Sequence, residues 1–316
     1  MATKKEWLGT KDKFARLREI ERLDLATEYR QIAGLSAADF QSIMFTQVYQ
    51  GFLVTFAAPR MSRILAATGE VEGRMAKRAV DTALFTRAVA MHGVKHGEGN
   101  LAAKRVNAMH RRYPIHQEDF IAVGVDGALA QIRMSERFGW RPLIDKEREA
   151  IRLHYAKITR AYGGRGEFPG TVAAMERFWD RYKREQFAFE PQNERMAKVV
   201  SSWFLSLAPR PLRPFLRLAL EGVADPDVLR ACGLRVPSAL ERRLAAFIMR
   251  RVIGARDPLP DSSPDKLEAL AASVYPDGYT LSDLGTFPED QPAEHEGEAQ
   301  ADPPAGLACP HIGSLS

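Results

Sequence analysis

The chain has 316 residues, 45% apolar and 27% charged, with a net charge of +5. That balance belongs to a folded globular protein and excludes wholesale disorder or a fibrous repeat. No uninterrupted apolar run reaches the ~18 residues needed to span a bilayer. The two cysteines, Cys232 and Cys309, are too few and too far apart for a disulfide framework or a zinc site.

From the amino terminus, charged residues have no apolar run behind them, which argues against a secretory signal and makes a reducing cytoplasm the expected location. Ser36 followed by Asp39 has capping-box spacing and predicts a helix over residues 40–54. In the next helix, Arg78 and Thr82 stand four apart on one face, with Asp81 beside them and Phe85 a turn further. A cation, an acid and a hydroxyl on a half-apolar face can anchor an anion, although an internal Arg–Asp pair at i,i+3 has the same spacing. His92 and His96 are one turn apart, but no zincin glutamate follows His92, so the pair reads as chance. Over residues 101–113 the positions Ala102, Val106, Met109, His110 and Tyr113 fall on one face, which puts His110 on the buried side. A buried imidazole needs a partner for each ring nitrogen or something to coordinate. It is usually a satisfied core residue, yet helical folds also present a histidine to haem in this way.

Helical periodicity continues through Ile151, His154, Tyr155, Ile158 and Tyr162. Gly139, Gly163-Gly164, Gly233 and Gly254 mark helix ends. Pro191 and Pro264 stand at first-turn positions, and Ser238 with Glu241 repeats the capping-box spacing. The most apolar stretch, 199–231, carries Trp203, Phe204, Leu212, Phe215 and Leu220 among Arg210, Arg213 and Arg217. It reads first as packed core with solvated arginines and second as a peripheral membrane contact. No alternating strand pair is present, so the fold class is all-α, a single helical domain over residues 1–275. Residues 276–316 hold five prolines beyond Pro276 and few large apolar residues, and read as a disordered acidic tail. Residues 281–316 contain seven acids and no lysine or arginine, leaving +12 on the rest of the chain. That charge suits anions in general. No nucleic-acid motif, P-loop, dinucleotide loop or hydrolase elbow accompanies it, so no nucleic-acid partner is expected.

The run Thr68-Gly69, Lys77-Arg78-Ala79-Val80-Asp81-Thr82, then Ala103-Lys104-Arg105-Val106-Asn107-Ala108-Met109-His110, resembles the MpaB and latex-clearing-protein (rubber oxygenase) catalytic-domain family. The resemblance continues through Tyr113-Pro114-Ile115-His116-Gln117-Glu118-Asp119-Phe120, Phe138-Gly139, Leu143-Ile144-Asp145-Lys146-Glu147, Tyr155 and Tyr162-Gly163-Gly164, and more weakly to about residue 255. Arg-x3-Thr followed by Met-His, with 28 residues from Thr82 to His110, is its most specific part. The resemblance implies a globin-like core binding haem b, with His110 as the proximal iron ligand and the only metal-ligating residue named. Arg78 and Thr82 would serve the cofactor site, and Arg78, Asp81 and Thr82 form the candidate catalytic group. The implied activity is a haem-dependent oxygenase using dioxygen on a lipophilic, possibly isoprenoid, substrate. The alternative is a non-catalytic helical protein that binds haem or a hydrophobic ligand, possibly at a membrane surface. No stable protein partner is expected. One departure is plain: latex-clearing members can carry a lysine where Asp81 stands, and neither Glu70 nor Glu72 aligns with their distal glutamate.

Overall fold

The computed structural model describes residues 8, 10–258 and 266–286. Among them the secondary structure is helical, with no β-strand: α1 (Ala15–Arg22), α2 (Leu25–Asp39), α3 (Gln41–Ala57), α4 (Pro59–Thr68), α5 (Glu70–Gly73), α6 (Met75–His92), α7 (Gly97–His110), α8 (Gln117–Phe138), α9 (Asp145–Ala161), α10 (Val172–Gln186), α11 (Pro191–Ser206), a 3-10 turn (Arg210–Leu212), α12 (Arg213–Val223), α13 (Pro226–Ala231), α14 (Ala239–Arg256) and α15 (Lys266–Val274). None of the described helices is long and apolar enough to cross a membrane.

The longest helix, α8, organises the main core. Ile121, Ala122, Val125, Ala128, Leu129 and Ile132 are all buried along it. Its two internal glycines explain how close α9 lies. A Cβ at Gly124 would meet Thr159 Oγ1 at 2.0 Å, and one at Gly127 would meet the Tyr155 ring at 2.4 Å. Glycine weakens an isolated helix by about 1 kcal/mol relative to alanine, and here the close α8–α9 packing offsets that cost. Because α9 is pressed against α8, its carboxyl end is fixed in place beside α7.

A second, smaller core is built on the α6–α7 hairpin. Val80, Leu84, Phe85, Ala88 and Val89 of α6 pack with Ala102, Ala103 and Val106 of α7. The turn between them is so tight that a Cβ at Gly99 would lie 1.8 Å from the Gly93 carbonyl oxygen. Ala271 of α15 and Leu284, which is fully buried, complete this cluster.

Leu284 corrects the tail boundary. The segment 276–286 was expected to lie in an unstructured tail, but it folds back over α6 and α7. Large apolar residues are sparse there, yet Leu284 and Tyr279 supply enough contact when the hairpin offers a ready apolar face. Residues 287–316, with most of the acidic tail, lie outside the described residues, as does Pro264.

Two helix-end expectations also change. Ser36 does not open a helix; it is buried inside α2, and α3 begins only at Gln41. Asp39 is taken by arginines instead of by a backbone amide (below). Gly254 does not close α14, which runs on to Arg256. Ser238 does cap α14, accepting from the Glu241 amide while the Glu241 carboxylate accepts from the Ser238 amide. Pro191 opens α11 as its first residue, and Gly233 has the left-handed φ of +64° expected after α13.

Candidate functional site

His110 is the last residue of α7 and is half-buried. Its Nδ1 donates to the carbonyl oxygen of Tyr162 at 2.9 Å, since a carbonyl can only accept. That bond fixes the tautomer and leaves Nε2 with a lone pair and no hydrogen-bond partner among the described residues. Burial, helped by the positive charge of Arg78, holds the imidazole below its ordinary pKa and hence neutral. Phe120 meets the ring edge-on at 5.4 Å and Tyr162 at 6.4 Å, which restricts its rotation.

Local backbone geometry makes the Tyr162 carbonyl available. Helix α9 stops at Ala161, and Gly163 follows with φ of +117°, a value that L side chains rarely adopt. A Cβ at Gly163 would also press on Asn107 Oδ1 at 3.0 Å, and one at Gly164 on Thr159 Cγ2 at 2.8 Å. The Gly163-Gly164 pair therefore lets the α9 terminus turn away against α7 and α8 while Tyr162 faces His110. The ring lines a concavity of about 100 Å³ shared with Asn107, Tyr113, Gln117, Phe120 and Gly163.

Arg78 belongs to the same neighbourhood. Its Nε is sealed from solvent and has no hydrogen-bond partner among the described residues. Burial lowers its pKa against the opposing pull of Glu70, Asp81 and Tyr113. An arginine that close to carboxylates usually forks onto one of them, but here Asp81 has other partners. Asp81 accepts from Lys77 at 2.7 Å, from the Gly285 amide at 2.9 Å and from the Tyr275 hydroxyl. Lys77 in turn donates to the Gly285 carbonyl at 3.0 Å. Asp81 is thus the anchor of the returning segment, a role with no local signal because Tyr275 and Gly285 lie about two hundred residues away. Thr82 is exposed, and its hydroxyl donates to the Arg78 carbonyl at 2.8 Å, one turn back on the same helix. Of the four residues singled out from sequence, Arg78 and His110 therefore come together. Asp81 and Thr82 are spent on structural bonds.

The remaining candidates are occupied. Glu70 pairs with Arg74 and accepts from Thr286 at 3.1 Å; Glu72 pairs with Arg195 at 3.0 Å. His92 ends α6 and pairs with Glu98 at 3.2 Å, whereas His96 precedes α7 across the Gly93 break, so the two do not share a helix face. Among the described residues no group of three His, Cys, Asp or Glu side chains is arranged for a metal. Cys232 is buried and donates its thiol to the Leu53 carbonyl.

Sequence reasoning passed over one further polar centre. Asp126, inside the apolar middle of α8, is buried with a single side-chain donor among the described residues, Gln50 at 3.2 Å. Burial pushes its pKa up to about 7. Next to it Gln47 donates to the Gly127 carbonyl and to the Tyr155 hydroxyl, at 3.0 and 2.8 Å. A lone acid in an otherwise apolar run was the available signal.

What these observations define is an all-helical protein whose neutral, half-buried histidine is oriented by a backbone carbonyl and keeps one nitrogen free beside an unpaired arginine. Residues 37–255 match the family described as "ER-bound oxygenase mpaB/B'/Rubber oxygenase, catalytic domain". The match covers well over half of the chain, and the chain belongs to that family. No curated protein is significantly similar to it.

Proposed function

We propose that the protein is a haem-b-dependent oxygenase acting with dioxygen on a lipophilic, isoprenoid-like substrate, and that His110 would hold the haem iron. The observation that carries this reading is the His110–Tyr162 bond. A metal-bound histidine commonly donates its other N–H to a carbonyl or carboxylate, which sets its tautomer and raises its basicity. Here Nδ1 is committed in that way, and the neutral imidazole offers Nε2. Family membership supports the oxygenase class.

The donor set fits haem in a second respect. The buried Nε of Arg78, which no carboxylate satisfies, suits a propionate or another anion. The concavity beside His110 is smaller than the roughly 300–1,000 Å³ of ordinary cofactor sites. Holding a macrocycle there would require side chains around Tyr113 and Phe120 to move aside. When bound, the haem supplies the dioxygen chemistry. The protein's part is then to hold the ligand ring through Tyr162 and Phe120, to place a positive charge with Arg78, and to keep that region poor in water.

The test is an absorption spectrum with pyridine-haemochrome quantitation after haem reconstitution. Wild type is expected to show a stoichiometric b-type Soret band, and His110→Ala to lose it while keeping its helical circular dichroism. Arg78→Met is expected to retain iron ligation but bind haem at least tenfold more weakly, and to melt higher without haem because an unpaired buried charge is removed. A wild-type protein that takes up no haem rejects the reading. One that binds haem but gives no product with isoprenoid substrates under oxygen is a carrier or sensor instead.

A further inference from the structure

The apolar stretch 199–231 resolves into two parts. Phe204, Leu205 and Leu220 are buried, as a core segment requires, whereas Leu212 and Phe215 remain 45% and 65% exposed. The helix packed beside them completes the picture. At the α12–α14 crossing a Cβ on Gly222 would come within 2.4 Å of the Ala245 Cβ, so the two helices lie close together and share an outer surface.

Helix α14 turns Ala245, Ala246, Met249 and Ile253 inward. Its outer side is not polar. Leu240, Leu244 and Phe247, at spacings of four and three, form one stripe and are 76%, 48% and 56% exposed. Arg251 continues the stripe, its guanidinium 5.1 Å over the Phe247 ring. Arg243 flanks it, and Arg210 stands on the turn before α12; neither has a side-chain partner among the described residues. The carboxylates of these two helices do not neutralise them. Glu241 is engaged by Arg235 and the Ser238 amide, and Glu221 is 8% exposed.

A ridge of leucine and phenylalanine among unpaired arginines is complementary to an apolar phase topped by phosphates. A second copy fits less well, because a two-fold contact would set these arginines against their own equivalents. We propose that the α12–α14 face docks this protein on an anionic lipid surface. Leu240, Leu244, Phe247 and Phe215 enter the interfacial layer, and Arg210, Arg243 and Arg251 meet lipid phosphates.

The experiment is co-sedimentation of the full 316-residue chain with phosphatidylcholine vesicles, with and without phosphatidylserine. Binding is expected only with phosphatidylserine and should weaken as salt rises. The pair Phe215→Ser/Phe247→Ser should lower the partition coefficient at least tenfold. So should Arg243→Glu/Arg251→Glu, since each basic residue near such a surface contributes about fivefold. All these side chains are exposed, so circular dichroism and thermal midpoint should not change. The proposal is overturned if wild type stays in the supernatant with phosphatidylserine vesicles, or if both variants sediment like wild type. It is equally overturned if light scattering shows a dimer that the Phe variants dissociate while no vesicle binding occurs. Haem uptake is read from the spectrum of the same samples, so failure here leaves the His110 reading standing, and the converse also holds.

Discussion

Asp126 shows what a single residue can impose on this molecule. Its carboxyl is buried in α8 with one amide donor, so ionisation inside the core is disfavoured and its pKa rises from 3.8 to about 7. In the unfolded chain the same group releases its proton near the ordinary value. Between pH 4 and 7 the folded state therefore holds a proton that the unfolded state does not, and stability falls as pH rises through that window. Asp126→Asn should accordingly raise the midpoint of thermal unfolding at pH 8, by about 2–4 kcal/mol in stability, with no gain at pH 4. A midpoint difference independent of pH would mean that the carboxyl is not what titrates. His110 differs in kind: its place on the inner face of α7 was legible from the spacing of Ala102, Val106 and Met109. Its partner was not legible, because the Tyr162 carbonyl depends on where α9 ends.

At the scale of elements, a buried charge network joins α1, α2 and the start of α9. Arg141 donates to Asp39 at 2.7 and 2.8 Å and to Glu147 at 2.8 Å, and Arg16 reaches Asp39 at 3.2 Å. Glu147 also accepts from the Ile144 amide at 2.9 Å, at the opening of α9. Removing the central arginine leaves Glu147 buried without a cation and Asp39 with Arg16 alone, and breaking such a buried pair typically costs about 3–5 kcal/mol. Arg141→Met should lower the unfolding free energy by that amount and move the urea midpoint down accordingly. Arg63→Ala, at the solvent-exposed pair with Glu190, should leave the midpoint where it was. Helix existence and most helix ends were legible from periodicity, prolines and glycines. The Ser36–Asp39 capping box was misread because Asp39 has the correct spacing for a cap but a stronger tertiary claim on it from two arginines.

The whole molecule has two apolar centres that differ in how they are closed. The main core, around α8, is made largely within the family-matched span, with Ile20, Leu23, Ile32 and Ala33 added from before it. The smaller one, carrying α7 and His110, needs Ala271 and Leu284 from beyond that span. This division was hidden in the sequence: residues 276–286 look too polar to fold alone, and they order only because α6 and α7 present a face to them. Leu284→Ala should cost about 2–5 kcal/mol. Hydrogen exchange should show where: amides of α6 and α7 should speed up while those of α8 and α10 hold. Uniform acceleration would show instead that the two centres unfold as one.

The bond between Asp81 and the Gly285 amide joins positions 204 residues apart, and this has a consequence for biosynthesis. At roughly 5–20 residues per second, a ribosome needs about 10–40 s to travel that distance. During this interval the hairpin bearing His110 is already made, while the segment that covers it does not yet exist. Leu84 and Phe85 then have α7 to pack against but not Leu284. A chaperone arriving in that interval finds the hairpin open; one arriving after release finds Leu284 packed on it.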